Sequence, residues 1–370
     1  MRIAVPTEVK NHEYRVAVTP AGVHELARAG HTVHVQAGAG LGSAITDDDY
    51  VAAGAVIEPD AAATWAAGEL VLKVKEPIAQ EYGFLREDQT LFTYLHLAAD
   101  RTLTEELVAH KVTSIAYETV QKANGSLPLL APMSEVAGRL APQVGAHALL
   151  KASGGRGTLL GGVPGVTPAH VVVIGAGVSG MNAAHVAAGM GARVTLLDRD
   201  LEVLTRADWT LQERAQTLAS NAWNLERAVL DADLVIGAVL VAGAKAPVLV
   251  SNELVSRMRP GSVLVDIAID QGGCFEDSRA TTHADPTYRV HGSTFYAVAN
   301  MPGAVPHTST HALTNVTLPY AVELASLGWQ AAMRRDPALA GGLNTHGGAV
   351  THPGVAEAHG LDLTPTASLL

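Results

Sequence analysis

The chain has 370 residues, 48% of them hydrophobic, and carries a formal charge of −11 at pH 7. This length is typical of two domains, and an acidic chain without a basic block argues against nucleic acid or an anionic membrane surface as a partner. The single cysteine, Cys274, excludes an intrachain disulfide bond and is typical of a reducing compartment. The opening stretch "MRIAVPTEVKN" turns polar after five residues, too early for a signal peptide, so we expect a soluble, cytoplasmic protein.

Short runs rich in Val, Ile and Leu predict β-strands in two sets. The first set is Arg2–Val5, Thr32–Gln36, Leu70–Val74, Leu91–Leu95 and Thr113–Tyr117. The second set is His170–Ile174, Arg193–Leu197, Leu234–Val239, Ser262–Ile267 and Phe295–Ala299. Continuous apolar strands separated by helix-length segments are typical of parallel sheets covered by helices on both faces. The sequence therefore predicts an α/β protein with two doubly wound domains.

Two longer helical stretches flank the second set of strands. One is predicted over Ser134–Ser153, where a serine followed by a glutamate marks the start and Pro142 is expected to introduce a kink. The other covers roughly Thr310–Arg334, and the Gly-, Pro- and Thr-rich residues 335–370 are expected to be irregular. The simplest organisation is one domain interrupted by the other, with 131–306 inserted between 1–130 and 307–370.

The segment "VVVIGAGVSGMNAA" contains a glycine pattern between a predicted strand and a helical run. Gly175, Gly177 and Gly180 give G-x-G-x-x-G, whose glycines allow a tight turn, close approach to a pyrophosphate and close packing of helix on strand. Asp198 ends the next strand, 23 residues after the first glycine, where a carboxylate binds a ribose 2′-hydroxyl and repels a 2′-phosphate. The sequence therefore predicts a dinucleotide site that favours NAD over NADP, although the neighbouring Arg199 weakens that preference.

Polar residues follow several predicted strands, at the edge where open α/β sheets bind ligands. Arg15, Lys75 and His96 follow strands of the first set, and Asp270 follows one of the second. Taken singly, each has an ordinary structural explanation, such as a surface ion pair, a satisfied core histidine or a turn cap. Taken together, they indicate an anionic substrate presented to a nicotinamide ring. The histidines form no H-x-x-x-H or H-E-x-x-H cluster in a plausible site, so we expect no metal.

Over essentially its whole length the sequence resembles the alanine dehydrogenases. The resemblance lies in "VPTEVKNHEYRVAVTPAGV", "LVLKVKEP", "YLHLAA", "LPLLAPMSEVAGRLA", "IGAGVSG", "DLVIGAVLVAGAKAP", "VLVDIAIDQGGCFE" and "VANMPGAVPHTSTHALTN". It implies two Rossmann-type domains with the active site in the cleft between them. It also implies reversible NAD-dependent oxidation of L-alanine to pyruvate and ammonia by a cytoplasmic homohexamer.

The resemblance also implies roles for individual residues. Arg15 and Lys75 match the residues that hold the substrate carboxylate and carbonyl, and His96 and Asp270 match the catalytic pair. The matching cofactor contacts are Ser134, Gly175, Gly177, Val178, Ser179, Gly180, Asp198, Ser220, Val239, Leu240, Ile267, Ala268, Ile269, Asp270, Arg279, Val298, Ala299, Asn300 and Met301. The helix that begins at "RDLEVL" matches the family least well.

Three other functions are compatible with this fold. The NAD-binding, hydride-donating subunit of a proton-translocating transhydrogenase is similar, but it carries an Arg-Ala-Gln segment where this chain has "APMSEVAGRLA", and usually Glu at the position of Asp270. Saccharopine dehydrogenase acts on a larger substrate and needs a wider pocket. A catalytically silent NAD-binding sensor would not need Arg15, Lys75, His96 and Asp270 together.

Overall fold

The structure, a computed structural model, describes residues 1–239 and 246–370. In chain order, the elements up to the first long helix are β1 (Arg2–Val5), α1 (Pro20–Arg28), β2 (Thr32–Gln36), α2 (Asp47–Ala52), β3 (Val56–Glu58), α3 (Ala61–Ala67), β4 (Leu70–Leu72), β5 (Thr90–Thr93), α4 (Arg101–Ala109), β6 (Thr113–Ala116) and α5 (Ala131–Ala148). They are followed by β7 (His170–Ile174), α6 (Val178–Gly189), β8 (Arg193–Asp198), α7 (Leu201–Leu211), β9 (Gln216–Ala219), α8 (Ala222–Asp231), β10 (Leu234–Gly237), α9 (Asn252–Ser256), β11 (Val263–Asp266), β12 (Thr287–Val290) and β13 (Ser293–Tyr296). The chain ends with α10 (Pro306–Leu327), α11 (Trp329–Arg335), α12 (Pro337–Ala340), β14 (Leu343–His346), β15 (Ala349–Val350) and α13 (Pro353–His359).

The chain divides into two compact units. The discontinuous unit consists of Met1–Met133 and Val305–Leu370, and the inserted unit of Ser134–Ala304. The sheet of the discontinuous unit has the order β15-β14-β6-β5-β4-β1-β2-β3, in which β1 to β6 are parallel and β14 and β15 are antiparallel. The chain leaves β1 toward β2 on one side and returns to β4 on the other, so the switch point of the topology lies between β1 and β4.

The sheet of the inserted unit repeats this topology. Its order is β12-β13-β11-β10-β7-β8-β9, with β12 antiparallel and the other strands parallel. The switch point lies between β7 and β10. Every residue of β7 is buried, and successive side chains of a strand point to opposite faces, so both faces of this strand are covered. The prediction of a two-domain α/β protein of Rossmann type is confirmed.

The predicted strands are found with bounds that differ by at most a few residues, but some short strands escaped prediction. β3, β9 and β12 are three or four residues long and half-buried or exposed in part, so they lack the continuous apolar run on which the prediction depends. The helix predicted from Ser134 begins at Ala131 instead, and Ser134 therefore lies in its first turn. The second predicted helix is divided at Gly328, whose φ of 76° ends α10 before α11 begins.

The expectation that residues 335–370 are irregular is wrong. This segment contains two helices and the hairpin β14–β15, which pairs with β6 at the edge of the first sheet. A two-residue loop, Gly347-Gly348, joins the hairpin, and both residues have positive φ values of 58° and 89°. Such a loop matches the twist of antiparallel strands, and a Gly-Gly pair between short strands is its usual sequence signal. α13 then packs on the segment that follows β5.

Candidate functional site

The loop after β1 carries a buried ion pair that contains Arg15. The Arg15 side chain is 2% exposed, and its Nε and Nη2 atoms donate to Oε1 and Oε2 of Glu13 at 2.6 Å and 2.5 Å. Its Nη1 atom lies 3.0 Å from Sδ of Met133. Burial disfavours the charged guanidinium, but Glu13 outweighs burial and raises the pKa of Arg15. Arg15 is thus a rigidly held cation whose orientation is set by Glu13.

A second buried ion cluster lies where β1 and β4 end. Lys73 is 0% exposed, and its Nζ atom lies 3.0 Å from Oε2 of Glu8 and 2.9 Å from Oε1 of Glu81. Glu8 also accepts hydrogen bonds from the backbone N–H groups of Val74, at 2.6 Å, and Lys75, at 3.3 Å. Burial raises the pKa of Glu8 to about 7, against the effect of Lys73. Lys73 and Glu8 therefore fix the backbone on which Lys75 is carried.

Lys75 differs from Lys73 in its environment. Its side chain is half-buried, and the described residues place no carboxylate within ion-pair distance of its Nζ atom. The adjacent Glu76 is bound by Lys10 instead. Burial favours the neutral form of Glu76, but Lys75, Lys10 and also His96 outweigh it and lower the pKa of this carboxyl. Lys75 is therefore available to a bound anion, and Glu76 lies within electrostatic reach of both Lys75 and His96.

His96 follows β5 with an exposed side chain, which excludes its alternative role as a core histidine. Its backbone is left-handed, with φ 52° and ψ 34°, a conformation that non-glycine residues seldom adopt. The imidazole ring is nearly parallel to the ring of Tyr94, at an angle of 9° and a centroid distance of 6.0 Å. Tyr94 is buried and donates its hydroxyl to the carbonyl of Leu129 at 2.6 Å, so it is a fixed surface beside the imidazole.

The glycine loop of the inserted unit joins β7 to α6. Gly175 has a φ of 100°, which favours glycine, and a Cβ atom on Gly180 would lie 1.7 Å from the carbonyl oxygen of Gly175. A Cβ atom on Gly177 would have no neighbour within 4 Å, so this residue leaves open space in front of the helix. Gly177 is also the N-cap of α6 and has no capping side-chain hydrogen bond. The first N–H groups of the helix are therefore open to an anion, as a pyrophosphate site requires.

Asp198 ends β8 beside this loop. Its Oδ2 atom accepts from the N–H of Ala176 at 2.7 Å, and its Oδ1 atom accepts from the N–H of Asp200 at 3.0 Å. The N–H of Ser220, which follows β9, donates to the main-chain carbonyl of Asp198 at 2.8 Å. These bonds place a half-buried carboxylate next to the glycine loop and hold Ser220 at the same sheet edge.

A residue that the sequence analysis did not single out organises the loop that carries Asp270. Asp266, at the end of β11, is 0% exposed and accepts from the N–H groups of Ala268 and Cys274 at 3.0 Å and 2.9 Å. The hydroxyl of Ser278 donates to it at 2.5 Å. Burial raises the pKa of Asp266, against these donors. The signal for this role is an acidic residue inside an otherwise apolar strand, "VLVD", because a buried carboxylate requires donors.

The other predicted cofactor contacts of the inserted unit lie at strand ends or close to them. Ile267, Ala268, Ile269 and the exposed Asp270 follow β11, and Val239 follows β10. Val298, Ala299, Asn300 and Met301 follow β13, Val178 and Ser179 begin α6, and Ser134 is half-buried on α5. The Arg279 guanidinium lies 4.0 Å from the centre of the Tyr288 ring. Leu240 lies outside the described residues.

Asn300 repeats a feature of His96. It is a non-glycine residue with a left-handed backbone, at φ 64°, and its carbonyl lies 3.1 Å from Nε2 of His283. Strained backbone of this kind is frequent at binding sites. Within residues 1–239 and 246–370, no cluster of three histidine, cysteine or acidic side chains is arranged to hold a metal ion. No helix in the described ranges is long and apolar enough to cross a membrane.

Comparisons with known proteins agree with the sequence resemblance. A family model described as "Alanine dehydrogenase/PNT, N-terminal domain" matches residues 4–137, and one described as "Alanine dehydrogenase/PNT, C-terminal domain" matches residues 141–353. A curated alanine dehydrogenase of Mycolicibacterium smegmatis is 62% identical over 370 residues, which cover 100% of both chains.

Two solved structures allow the similarity to alanine dehydrogenase to be compared with the similarity to transhydrogenase. An L-alanine dehydrogenase is 52% identical with a TM-score of 0.95, over 97% of this chain and 99% of that one. A transhydrogenase from Sinorhizobium meliloti is 27% identical with a TM-score of 0.81, over 95% of this chain and 99% of that one. The chain is therefore much more similar to the former, and the transhydrogenase is a distant relative.

Proposed function

The chain belongs to the alanine dehydrogenase/PNT family, and from this membership we propose that it is an NAD-dependent L-alanine dehydrogenase. The reaction is the reversible oxidation of L-alanine to pyruvate and ammonia. The observation that carries the proposal is identity of 62% over the full length of a curated alanine dehydrogenase. Proton-translocating transhydrogenase activity is disfavoured, since the solved transhydrogenase is only 27% identical.

The inserted unit is proposed to bind the cofactor. The open N-terminus of α6 and the space in front of Gly177 suit the pyrophosphate. The carboxylate of Asp198 suits the ribose hydroxyls of NAD and repels the 2′-phosphate of NADP. The proposed contacts also include Ser134, Ser220 and the segments after β10, β11 and β13.

The discontinuous unit is proposed to hold the substrate. Arg15 and Lys75 bind the alanine carboxylate and polarise the oxygen that becomes the pyruvate carbonyl, since both are cations at the switch point of the sheet. Arg15 already shares its charge with Glu13, so Lys75 supplies most of the uncompensated positive charge. Exposed and held beside Tyr94, His96 can exchange protons with solvent and with the substrate.

His96 and Asp270 are proposed to carry the chemistry. When bound, NAD would supply the acceptor for the hydride of the alanine Cα atom. His96 removes a proton from the substrate ammonium group and passes it to solvent. It later removes a proton from the water that attacks the imine and returns that proton to the leaving ammonia. Asp270 orients the substrate or the attacking water. The domain bounds 1–130 with 307–370 and 131–306 belong to the same proposal and are supported by the order of the predicted strands and helices. The cytoplasmic location and the homohexamer belong to it because the family resemblance implies them.

The test is the absorbance of NADH after the purified protein is mixed with NAD and L-alanine at mildly alkaline pH. We expect NADH to form with this pair, and parallel reactions with NADP or with saccharopine to stay flat. NADH formation from saccharopine, or none from L-alanine by a protein that binds NAD, would contradict the proposal.

A further inference from the structure

We propose that Glu118 is a positioning residue for His96, an inference that rests on the proposed function. Glu118 lies in the 3₁₀ turn Tyr117–Thr119 directly after β6. Its Oε1 atom accepts from the N–H of His96 at 2.6 Å and from the N–H of Leu95 at 3.2 Å. Its Oε2 atom lies 3.3 Å from the same N–H of Leu95. One carboxylate thus binds two consecutive amides, of which the second belongs to the proposed catalytic residue.

The topology explains why a side chain is needed at this point. β5 and β6 are parallel neighbours, and their ladder ends with the pair Thr93 and Ala116. Leu95 and Glu118 each come two residues after that pair, where the main chain no longer supplies ladder acceptors. The Glu118 carboxylate takes over as acceptor, so the two amides keep partners although the strands have ended.

The amides of Leu95 and His96 also converge on one acceptor, the Glu118 carboxylate. The backbone of His96 turns left-handed at φ 52° and ψ 34°, which is strained for a residue with a Cβ atom. Successive N–H groups that converge in this way suit an anionic acceptor. A carboxylate at that point stabilises the turn, and the turn determines where the imidazole is directed.

The rest of the segment is fixed from its other side. The carbonyl of Leu97 accepts from the hydroxyl of Thr104 at 3.2 Å and lies 2.6 Å from Nε2 of His359, on α13. The described residues place no lysine or arginine within ion-pair distance of Glu118, so its charge is directed at the amides. The segment is therefore held on both sides of the His96 side chain. Glu118 accepts from the His96 amide itself, whereas Thr104 and His359 contact the carbonyl of the next residue, Leu97.

The experiment compares Glu118→Gln and Glu118→Ala with the parent enzyme in alanine oxidation. Glutamine keeps an acceptor for the His96 amide but no charge, and alanine removes the acceptor. We expect kcat to fall about threefold to tenfold in Glu118→Gln and about 30-fold to 100-fold in Glu118→Ala, since small misplacements of a catalytic group have effects of this size. The KM for NAD and the Kd of NAD should remain within twofold.

A second measurement separates positioning from general damage. The solvent deuterium isotope effect on kcat should rise from parent to Glu118→Gln to Glu118→Ala, because the proton transfers through a displaced His96 become more rate-limiting. A substitution that only destabilises the fold would lower the fraction of active enzyme and therefore the apparent kcat, but it would leave the isotope effect unchanged. Glu105→Gln and Glu105→Ala are the matched controls, since Glu105 is an exposed carboxylate of the same unit that pairs with Arg101 on the surface.

An unchanged kcat in both Glu118 variants would overturn the inference. So would a fall in kcat with an unchanged isotope effect, or a parallel loss of NAD affinity and thermal stability. If the parent enzyme itself forms no NADH from L-alanine, the proposed function fails, which is a separate outcome from failure of this inference.

Discussion

The two proposed binding regions both lie at the switch point of a mainly parallel sheet, but different chemical groups form them. In the inserted unit, the loop after β7 is formed by glycines and their main-chain groups, and Asp198 places a carboxylate beside it. In the discontinuous unit, the ends of β1 and β4 hold the buried ions Glu8, Arg15 and Lys73. A loop made of backbone depends on the space around each Cα atom, whereas an ion cluster depends on partners that lie far apart in sequence.

The largest expected loss of stability comes from a substitution that breaks the buried ion cluster. Lys73→Met leaves Glu8 and Glu81 buried without their shared cation, which should lower the free energy of unfolding by about 3–5 kcal/mol. Urea titration measures this change. Lys111→Met is the control, because Lys111 lies on the surface 3.4 Å from Glu87 and should change stability by less than about 0.5 kcal/mol. Equal effects of the two substitutions would show that the buried cluster does not hold the strand ends together.

The next prediction separates two glycines of one loop. A methyl group at position 180 meets the Gly175 carbonyl, so Gly180→Ala should lower the free energy of unfolding by about 1–3 kcal/mol and weaken NAD binding. A methyl group at position 177 meets nothing in the free protein, so Gly177→Ala should cost at most about 1 kcal/mol, through the poorer N-cap, and mainly weaken NAD binding. Thermal unfolding and calorimetric titration with NAD measure the two quantities. Unchanged NAD affinity in Gly177→Ala would remove the loop from the cofactor site.

A smaller effect concerns cofactor choice. Asp198→Asn keeps an acceptor for the Ala176 amide but removes the charge, so affinity for NADP should rise and affinity for NAD should fall by about tenfold. Asp198→Ala should weaken the binding of both cofactors, since the loop also loses its acceptor. The ratio of the two dissociation constants is the measurement. A ratio that does not change in Asp198→Asn would mean that the carboxylate does not face the ribose.

The smallest expected effect is a pH dependence away from both sites. His170 is 4% exposed at the start of β7, and burial, followed by Arg193, lowers its pKa. The unfolded chain then binds a proton more readily than the folded one below about pH 6.5. Stability from the neutral imidazole is present above that pH and is lost as the pH falls toward 5. His170→Gln should make the thermal unfolding midpoint depend less on pH between pH 7 and pH 5. An equally steep pH dependence in this variant would assign the effect to another group.

The same contrast explains what could be predicted from sequence. The glycine loop is a local pattern of six residues with a fixed distance to Asp198, so its place between strand and helix was predictable without any structure. The positions of Arg15, Lys75 and His96 at strand ends followed from the rule for open sheets. Their supports did not, because Glu8 and Lys73 are separated by 65 residues and Glu118 and His96 by 22.

Short edge elements were the other limit of the prediction. The Gly347-Gly348 loop is a recognisable hairpin signal, but its strands are four and two residues long and carry no apolar run. Their pairing with β6 depends on contacts across more than 200 residues of chain, such as the hydrogen bond between Ser114 and Thr345. Periodicity cannot reveal such contacts, whereas it did reveal the buried parallel strands.

The central claim is that the glycine loop binds the cofactor while the strand-end residues of the other unit carry out the chemistry. The most direct test is His96→Ala, with NAD affinity and NADH formation from L-alanine measured on the same preparation. We predict a Kd for NAD within twofold of the parent value and a turnover lower by about 10²-fold to 10⁴-fold. Unchanged turnover would remove His96 from the mechanism, and a loss of NAD affinity parallel to the loss of turnover would contradict the division of roles.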